Sequence, residues 1–88
     1  MSASVRRTYT ALRATLQAHG ADAGALSGLT ELAGLLSGQA GLSPSAAAQW
    51  LLASHARLDH RRPLDVWLGG RADRVIDAAR AEPLRGGP

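Results

Sequence analysis

The sequence predicts an all-α protein, a compact bundle of about five short helices, from its composition and from the spacing of its apolar residues. Apolar residues make up 45% of the 88-residue chain, but most of them are Ala and Leu, and Phe is absent. Ala and Leu favour closely packed helices, whereas a sheet would need more β-branched and aromatic side chains. The apolar residues also recur every three or four positions, which is typical of helices with one buried face.

Two helices are predicted in the first half of the chain. The first ends near Gly20, and its buried stripe is Val5, Tyr9, Leu12 and Leu16. The second runs from about Asp22 or Ser27 to Ser37, and Gly24 and Gly28 are candidate breaks within it. Its predicted buried face is Leu26, Leu29, Leu32, Ala33 and Leu36. The segment 38–41, which contains two glycines, is predicted to be a loop.

Three further helices are predicted in the second half. Ser43-Pro44 supplies a capping hydroxyl followed by proline in the first helical position, so a helix begins there. Its predicted buried face is Ala47, Trp50, Leu51 and Ser54, with Trp50 in the core. A polar turn from Arg57 to Arg62 precedes a short helix that starts at Pro63. Gly69-Gly70 ends that helix.

The last helix is predicted from about Arg71 to Ala81, with a buried stripe of Ala72, Val75, Ile76 and Ala79. Residues 1–82 are therefore expected to form a single helical domain. The tail 83–88 contains two Gly and two Pro and is expected to be flexible.

The composition excludes several classes of function. Without Cys there is neither a disulfide, a thiolate metal site nor a cysteine nucleophile. No apolar run has the length of a signal peptide or a membrane span, so a cytoplasmic location is expected. The net charge of +3 comes with Arg as the only basic side chain apart from His. Because guanidinium groups make forked contacts with carboxylates or phosphates, an acidic partner is allowed.

The residues that carry chemistry do not form a catalytic pattern. The glycines fit neither the dinucleotide-binding nor the P-loop spacing, and no serine lies in a nucleophile elbow. His55 and Asp59 stand one helical turn apart, but the arginines at 57, 61 and 62 disfavour a bound cation there. A solvated turn or a partner contact fits this cluster better. The chain is therefore expected to be no enzyme and to need neither a cofactor nor a metal.

Residues 29–51 have the rhythm of an abbreviated helix-turn-helix, which keeps a nucleic-acid-binding regulator open as the alternative function. The second helix of the pair begins with small side chains, and the loop before it is longer than usual. The candidate nucleic-acid contacts are Arg6, Arg7, Arg13 and Gln49. A third hypothesis is self-association through the first helix, since so small a core favours a dimer or higher oligomer.

Residues 47–82 carry four motifs in order: Trp50-Leu51-Leu52, Arg57-Leu58, Arg61-Arg62-Pro63-Leu64-Asp65-Val66-Trp67-Leu68-Gly69-Gly70 and Arg71-Ala72-Asp73-Arg74-Val75-Ile76. This arrangement resembles the toxin-binding domain of bacterial Xre/MbcA/ParS-type antitoxins. The resemblance implies a non-catalytic protein that silences a RES-type, NAD-consuming toxin by covering its active site. The residues expected to bind the partner are Arg62, Pro63, Trp67, Gly69, Arg71 and Arg74.

Such an inhibitor needs an apolar anchor surrounded by charge, because buried aromatics and Arg carry most interface energy. We expect Trp67 to be the anchor, partly exposed, with Leu64 and Leu68 facing inward. Arg71 and Arg74 are then expected to pair with carboxylates of the partner. On this hypothesis, Trp67→Ala should abolish toxin neutralisation and leave the helical content intact.

Overall fold

In a computed structural model that describes residues 2–82, the chain forms five α-helices joined by short turns. They are α1 (Ala3–Ala18), α2 (Leu29–Gly34), α3 (Pro44–Leu52), α4 (Pro63–Leu68) and α5 (Ala72–Arg80). The described residues contain no β-strand, only an isolated antiparallel bridge between His55 and Arg61. The all-α prediction is confirmed. The predicted flexible tail, 83–88, lies outside the described residues.

Helix α1 follows the predicted stripe. Its first turn is capped by Ser2, whose hydroxyl accepts a hydrogen bond from the backbone N–H of Val5 at 3.2 Å. Leu12 and Leu16 are fully buried, and Val5 and Tyr9 pack against the core at the edge. The helix ends at Ala18, two residues before Gly20, which adopts a φ of 95° as residues that follow helices often do.

The second predicted helix is divided at Gly28, and it continues further than expected. Gly28 has a φ of 85° and caps α2. After α2 the chain makes a wide π-helical turn, Leu35–Gln39, in which the N–H of Ala40 bonds to the carbonyl of Leu35 at 2.9 Å. Gly38 and Gln39 are therefore helical, so the predicted loop at 38–41 was wrong in its first half. The connection to α3 is the short segment 40–43.

Helix α3 begins as predicted. The Ser43 hydroxyl accepts from the N–H of Ala46 at 3.1 Å, and Pro44 occupies the first turn. Trp50 is 6% exposed, which confirms it as a core residue. Its indole N–H donates to the Glu82 carboxylate at 2.9 Å. Ser54 was wrongly assigned to the buried face, because α3 ends at Leu52 and Ser54 is exposed.

One hydrophobic cluster runs through the described residues, from Leu12 on α1 to Ala79 on α5. Helix α1 packs on α2 and α3, while α4 packs on α5 and α3. On α5 the predicted residues Val75 and Ala79 are buried, together with Ala78, because the buried face is turned slightly from the expected stripe. This arrangement leaves the turns on either side of α4 at the surface. No helix within residues 2–82 has both the length and the apolar character needed to cross a membrane.

Candidate functional site

A groove of about 240 Å³ opens where the turn before α4 meets the turn between α4 and α5. We call it the α4–α5 groove. Its lining residues are Leu58, Asp59, Arg61, Asp65, Val66, Gly69, Arg71 and Arg74. Three of them, Gly69, Arg71 and Arg74, were predicted from the sequence to bind a partner. The groove therefore brings together half of the predicted partner-binding residues.

The three arginines of the groove are exposed and have no internal ion pair. Among residues 2–82, no carboxylate oxygen lies within 4.0 Å of a guanidinium nitrogen of Arg61, Arg71 or Arg74. Arg80 behaves differently, since it reaches Asp77 at 3.4 Å and Glu31 at 3.5 Å. Three guanidinium groups that have no carboxylate partner within residues 2–82 therefore lie around the opening of the groove.

A strained turn carries Arg61 to the groove. The N–H of His55 bonds to the carbonyl of Arg61 at 3.1 Å, so the intervening residues form a closed loop, from which Leu58 is buried in the core. Asp59 and His60 take up φ values of 56° and 61° within it. Two adjacent side-chain-bearing residues in the left-handed region are uncommon, and such strain tends to occur at functional sites. The sequence left the role of Arg61 open between a solvated turn and a partner contact, because it does not reveal this closure.

The Gly69-Gly70 pair carries Arg71 and Arg74 to the opposite wall. Gly70 has a φ of 85°, which reverses the chain after α4. A Cβ atom at Gly69 would lie 3.3 Å from the carbonyl oxygen of Asp65, so the turn lies tightly against α4. The N–H of Arg71 then bonds to the carbonyl of Val66 at 3.1 Å. The glycine break predicted from the sequence thus fixes where Arg71 stands relative to Val66.

Trp67 does not occupy the predicted surface position. It is 2% exposed, and its indole N–H donates a hydrogen bond to the backbone carbonyl of Ala25. Leu68, expected to face inward, is 37% exposed, whereas Leu64 is buried as expected. The prediction of Trp67 as an exposed anchor was wrong. The indole packs beside Gly28, where a Cβ atom would lie 3.9 Å from it.

Pro63 was wrongly predicted as a partner contact, whereas Arg62 stays a predicted one and has an internal partner of its own. Pro63 is fully buried at the start of α4. Arg62 donates two hydrogen bonds to Asp65, from Nε at 2.8 Å and from Nη2 at 3.0 Å. Arg62 is the N-cap of α4 and makes no side-chain cap bond, because a guanidinium cannot accept from a backbone N–H. The pair instead ties the Arg62 side chain to the first turn of the helix. Arg62 therefore orders the rim of the groove.

The same pair shifts two pKa values. Hydrogen bonding to the Arg62 side chain, helped by its charge, lowers the pKa of the Asp65 carboxyl from its ordinary value. Hydrogen bonding to Asp65 raises the pKa of Arg62 in turn. Asp65 is thus held in its charged form at the edge of the groove.

We expect the protein to lose stability as the pH falls through the folded-state pKa of Asp65. Because folding lowers that pKa, the stabilising contribution is complete above the unfolded value and is lost in acid. Both Asp65→Asn and Arg62→Gln should flatten the acid side of a plot of unfolding midpoint against pH. An acid side as steep as that of the wild type in both variants would contradict the assignment.

His55 supports the core. Its ring N–H donates a hydrogen bond from Nε2 to the backbone carbonyl oxygen of Trp50 at 3.1 Å. The centroids of the imidazole and of the Trp50 ring are 4.8 Å apart. Asp59, its suggested metal partner from the sequence, lines the α4–α5 groove. No cluster of three or more metal-ligating side chains occurs in the part of the chain that the structure describes.

The candidate nucleic-acid contacts do not form one surface. At about 100° per residue, Arg6 and Arg13 lie about 20° apart around α1, whereas Arg7 lies about 100° from Arg6. Arg13 stacks over Tyr9 at 5.7 Å, and Gln49 borders a different depression beside Trp50. The connection 40–43 is four residues long, so the loop has the usual helix-turn-helix length after all. Helix α3 nevertheless carries no basic side chain.

Comparisons with models of known protein families, with curated proteins and with solved structures found no match. The geometry alone therefore defines the site, which is a small, arginine-lined groove on a helical bundle.

Proposed function

We propose that this chain is a protein-binding module of the antitoxin type. It neutralises a cognate toxin by placing the surface around the α4–α5 groove over the toxin's active site. The observation that carries the proposal is the set of three unpaired guanidinium groups, Arg61, Arg71 and Arg74, around one opening. Arginine is among the residues that most often carry the binding energy of protein interfaces.

The partner surface that fits this groove carries both carboxylates and an apolar side chain. Half-buried Val66, above the buried Leu58, supplies the apolar area of the floor, and the arginines supply forked donors for carboxylates. Asp59 and Asp65 stand among them and would repel the closely spaced phosphates of a nucleic acid. The mixture of charges favours a protein partner over a polyanion.

The antitoxin assignment rests on the motif order in residues 47–82, which resembles the toxin-binding domain of Xre/MbcA/ParS-type proteins. That resemblance implies a RES-type toxin that consumes NAD, and it implies that the chain itself performs no chemistry. The α4–α5 groove lies within the resembling segment, at its glycine break. We place this activity in the cytoplasm, where both partners and NAD occur.

Co-expression with the open reading frame adjacent to the coding gene tests the proposal. That neighbour alone is expected to arrest bacterial growth and deplete NAD, and the chain is expected to restore both. A neighbour that is harmless, or an arrest that the chain does not relieve, would rule out the antitoxin function.

Salt dependence separates protein binding from the nucleic-acid alternative. Binding driven by phosphate contacts weakens steeply with added salt, whereas an interface with an apolar floor weakens much less. The purified chain is expected to hold the toxin at high salt and to show no saturable binding to duplex DNA at low salt. Self-association stays a prediction, which molecular mass measured against concentration checks.

A further inference from the structure

The α4–α5 groove contains two carboxylates, Asp59 and Asp65, that differ in their surroundings. Both oxygens of Asp65 accept from Arg62, at 2.8 and 3.0 Å. Asp59 is exposed at the same opening, and no guanidinium or imidazole nitrogen among residues 2–82 lies within 4.0 Å of its carboxylate. Within the described residues, Asp59 is therefore the groove carboxylate that has no ion pair.

Backbone hydrogen bonds hold Asp59 at the groove. Its N–H bonds to the carbonyl of Ala56 at 3.1 Å, and the N–H of the next residue, His60, bonds to the carbonyl of His55 at 2.9 Å. Asp59 has a φ of 56° between these bonds, and Asp enters the left-handed region more readily than most residues. The backbone of the turn 55–61, and not an ion pair, therefore sets where this carboxylate stands.

The groove consequently presents both signs of charge to a partner. Arg61, Arg71 and Arg74 line it together with Asp59, yet none of their guanidinium nitrogens lies within 4.0 Å of that carboxylate. Charged groups that are not paired with each other can each pair with an opposite charge on a partner. The complementary surface therefore carries carboxylates for the arginines and a cation for Asp59.

A partner that closes over the groove has to compensate the charge of Asp59. Closure removes water from the carboxylate, and burying a charge without a counter-charge is strongly unfavourable. A groove arginine that turned towards Asp59 would leave a carboxylate of the partner unpaired. A cation supplied by the partner compensates all of these charges at once.

We propose that Asp59 selects a partner that carries a lysine or arginine among the carboxylates of its binding surface, and that this basic side chain enters the α4–α5 groove beside Asp59. The inference rests on the proposed function, because it concerns the same groove. It narrows the partner from an acidic protein surface to one of mixed charge. A uniformly acidic segment is disfavoured, because it would bury Asp59 against like charge.

The test is a calorimetric titration of the toxin, as the purified product of the adjacent open reading frame, with the full chain and with its Asp59→Asn variant. Asn has the same shape and also tolerates the left-handed region, so the unfolding midpoint is expected to stay unchanged. Because a charge pair in the interface is lost, the dissociation constant is expected to rise at least about tenfold. If Asp59 only repelled an acidic partner, the variant would bind more tightly. Tighter or unchanged binding overturns the inference.

Asp73→Asn is the matched control. Asp73 is exposed in the first turn of α5, forms no ion pair within residues 2–82 and does not line the groove. Both substitutions raise the net charge by one, so they change long-range attraction to the toxin alike. Asp73→Asn is expected to keep the dissociation constant within about twofold, because exposed charges outside the contact are screened. Equal weakening by both variants would also overturn the inference.

A double-mutant cycle identifies the cation of the partner. Each exposed lysine and arginine of the toxin is replaced by Gln and titrated with the wild-type chain and with Asp59→Asn. One of these replacements is expected to weaken binding to the wild type about tenfold and to leave binding to Asp59→Asn nearly unchanged. No such coupling at any basic position contradicts the inference alone. A wild-type chain that does not bind the toxin contradicts the proposed function and, with it, this inference.

Discussion

Trp67→Ala is expected to unfold a large fraction of the molecule. Trp67 is 2% exposed, so the substitution leaves a cavity in the core. It also leaves the Ala25 carbonyl without its hydrogen-bond donor. Truncation of a buried tryptophan costs about 3–5 kcal/mol. Small domains are stable by only about 5–15 kcal/mol, and one with so thin a core stands at the low end. Far-ultraviolet circular dichroism and thermal unfolding measure the loss.

Two neighbouring substitutions serve as controls for this expectation. Trp67→Phe keeps most of the ring but not the N–H, so its cost is expected to be about 1–3 kcal/mol. Leu68→Ala alters the exposed neighbour on α4 and is expected to change stability far less than Trp67→Ala. Intact helical content in Trp67→Ala would mean that the indole is not part of the core.

The double substitution Arg71→Glu/Arg74→Glu is expected to abolish toxin binding while preserving the fold. Both side chains are exposed and form no ion pair within residues 2–82, so their replacement breaks no internal ion pair. Losing one partner of a desolvated charge pair costs about 2 kcal/mol or more. Two such losses raise the dissociation constant at least about a thousandfold. Calorimetric titration of the purified toxin measures the change.

The matched control is Arg6→Glu/Arg13→Glu, which changes the net charge by the same amount on α1. It is expected to weaken toxin binding less than about tenfold, because distant surface charges are screened at physiological salt. If both double variants lost binding equally, long-range attraction would explain the result and the α4–α5 groove would not be the partner site.

The helix starts could be predicted from the sequence because their signals are local. Ser43-Pro44 and Pro63 fix the beginnings of α3 and α4 by capping and by the geometry of proline, whatever the rest of the chain does. The regular stripe of α1 could be predicted for the same reason. Gly69-Gly70 likewise marked the turn before α5.

The orientation of α4 could not be predicted in this way. A six-residue helix makes fewer than two turns, so its periodicity does not decide whether Trp67 or Leu68 faces inward. The decision depends on contacts with Ala25 and Gly28, about 40 residues earlier in the chain. The π-helical turn at Leu35–Gln39 was missed because its glycine at 38 suggested a loop.

The α4–α5 groove was only half visible in the sequence. Gly69, Arg71 and Arg74 follow one another along the chain, so their proximity is a local property. Arg61 joins them only because Asp59 and His60 adopt positive φ values and close the turn from His55. Asp and His enter the left-handed region more readily than most residues, but the sequence alone does not specify that two in succession do so.

The most direct test of the α4–α5 groove as the partner site is an NMR comparison of the labelled chain, alone and with the purified toxin. We predict that the side-chain N–H signals of Arg61, Arg71 and Arg74 and the amide of Gly69 shift on binding, while the indole N–H of Trp67 stays protected from exchange in both states. Shifts confined to α1 and Gln49, or an indole proton that exchanges freely in the unbound chain, would contradict the account.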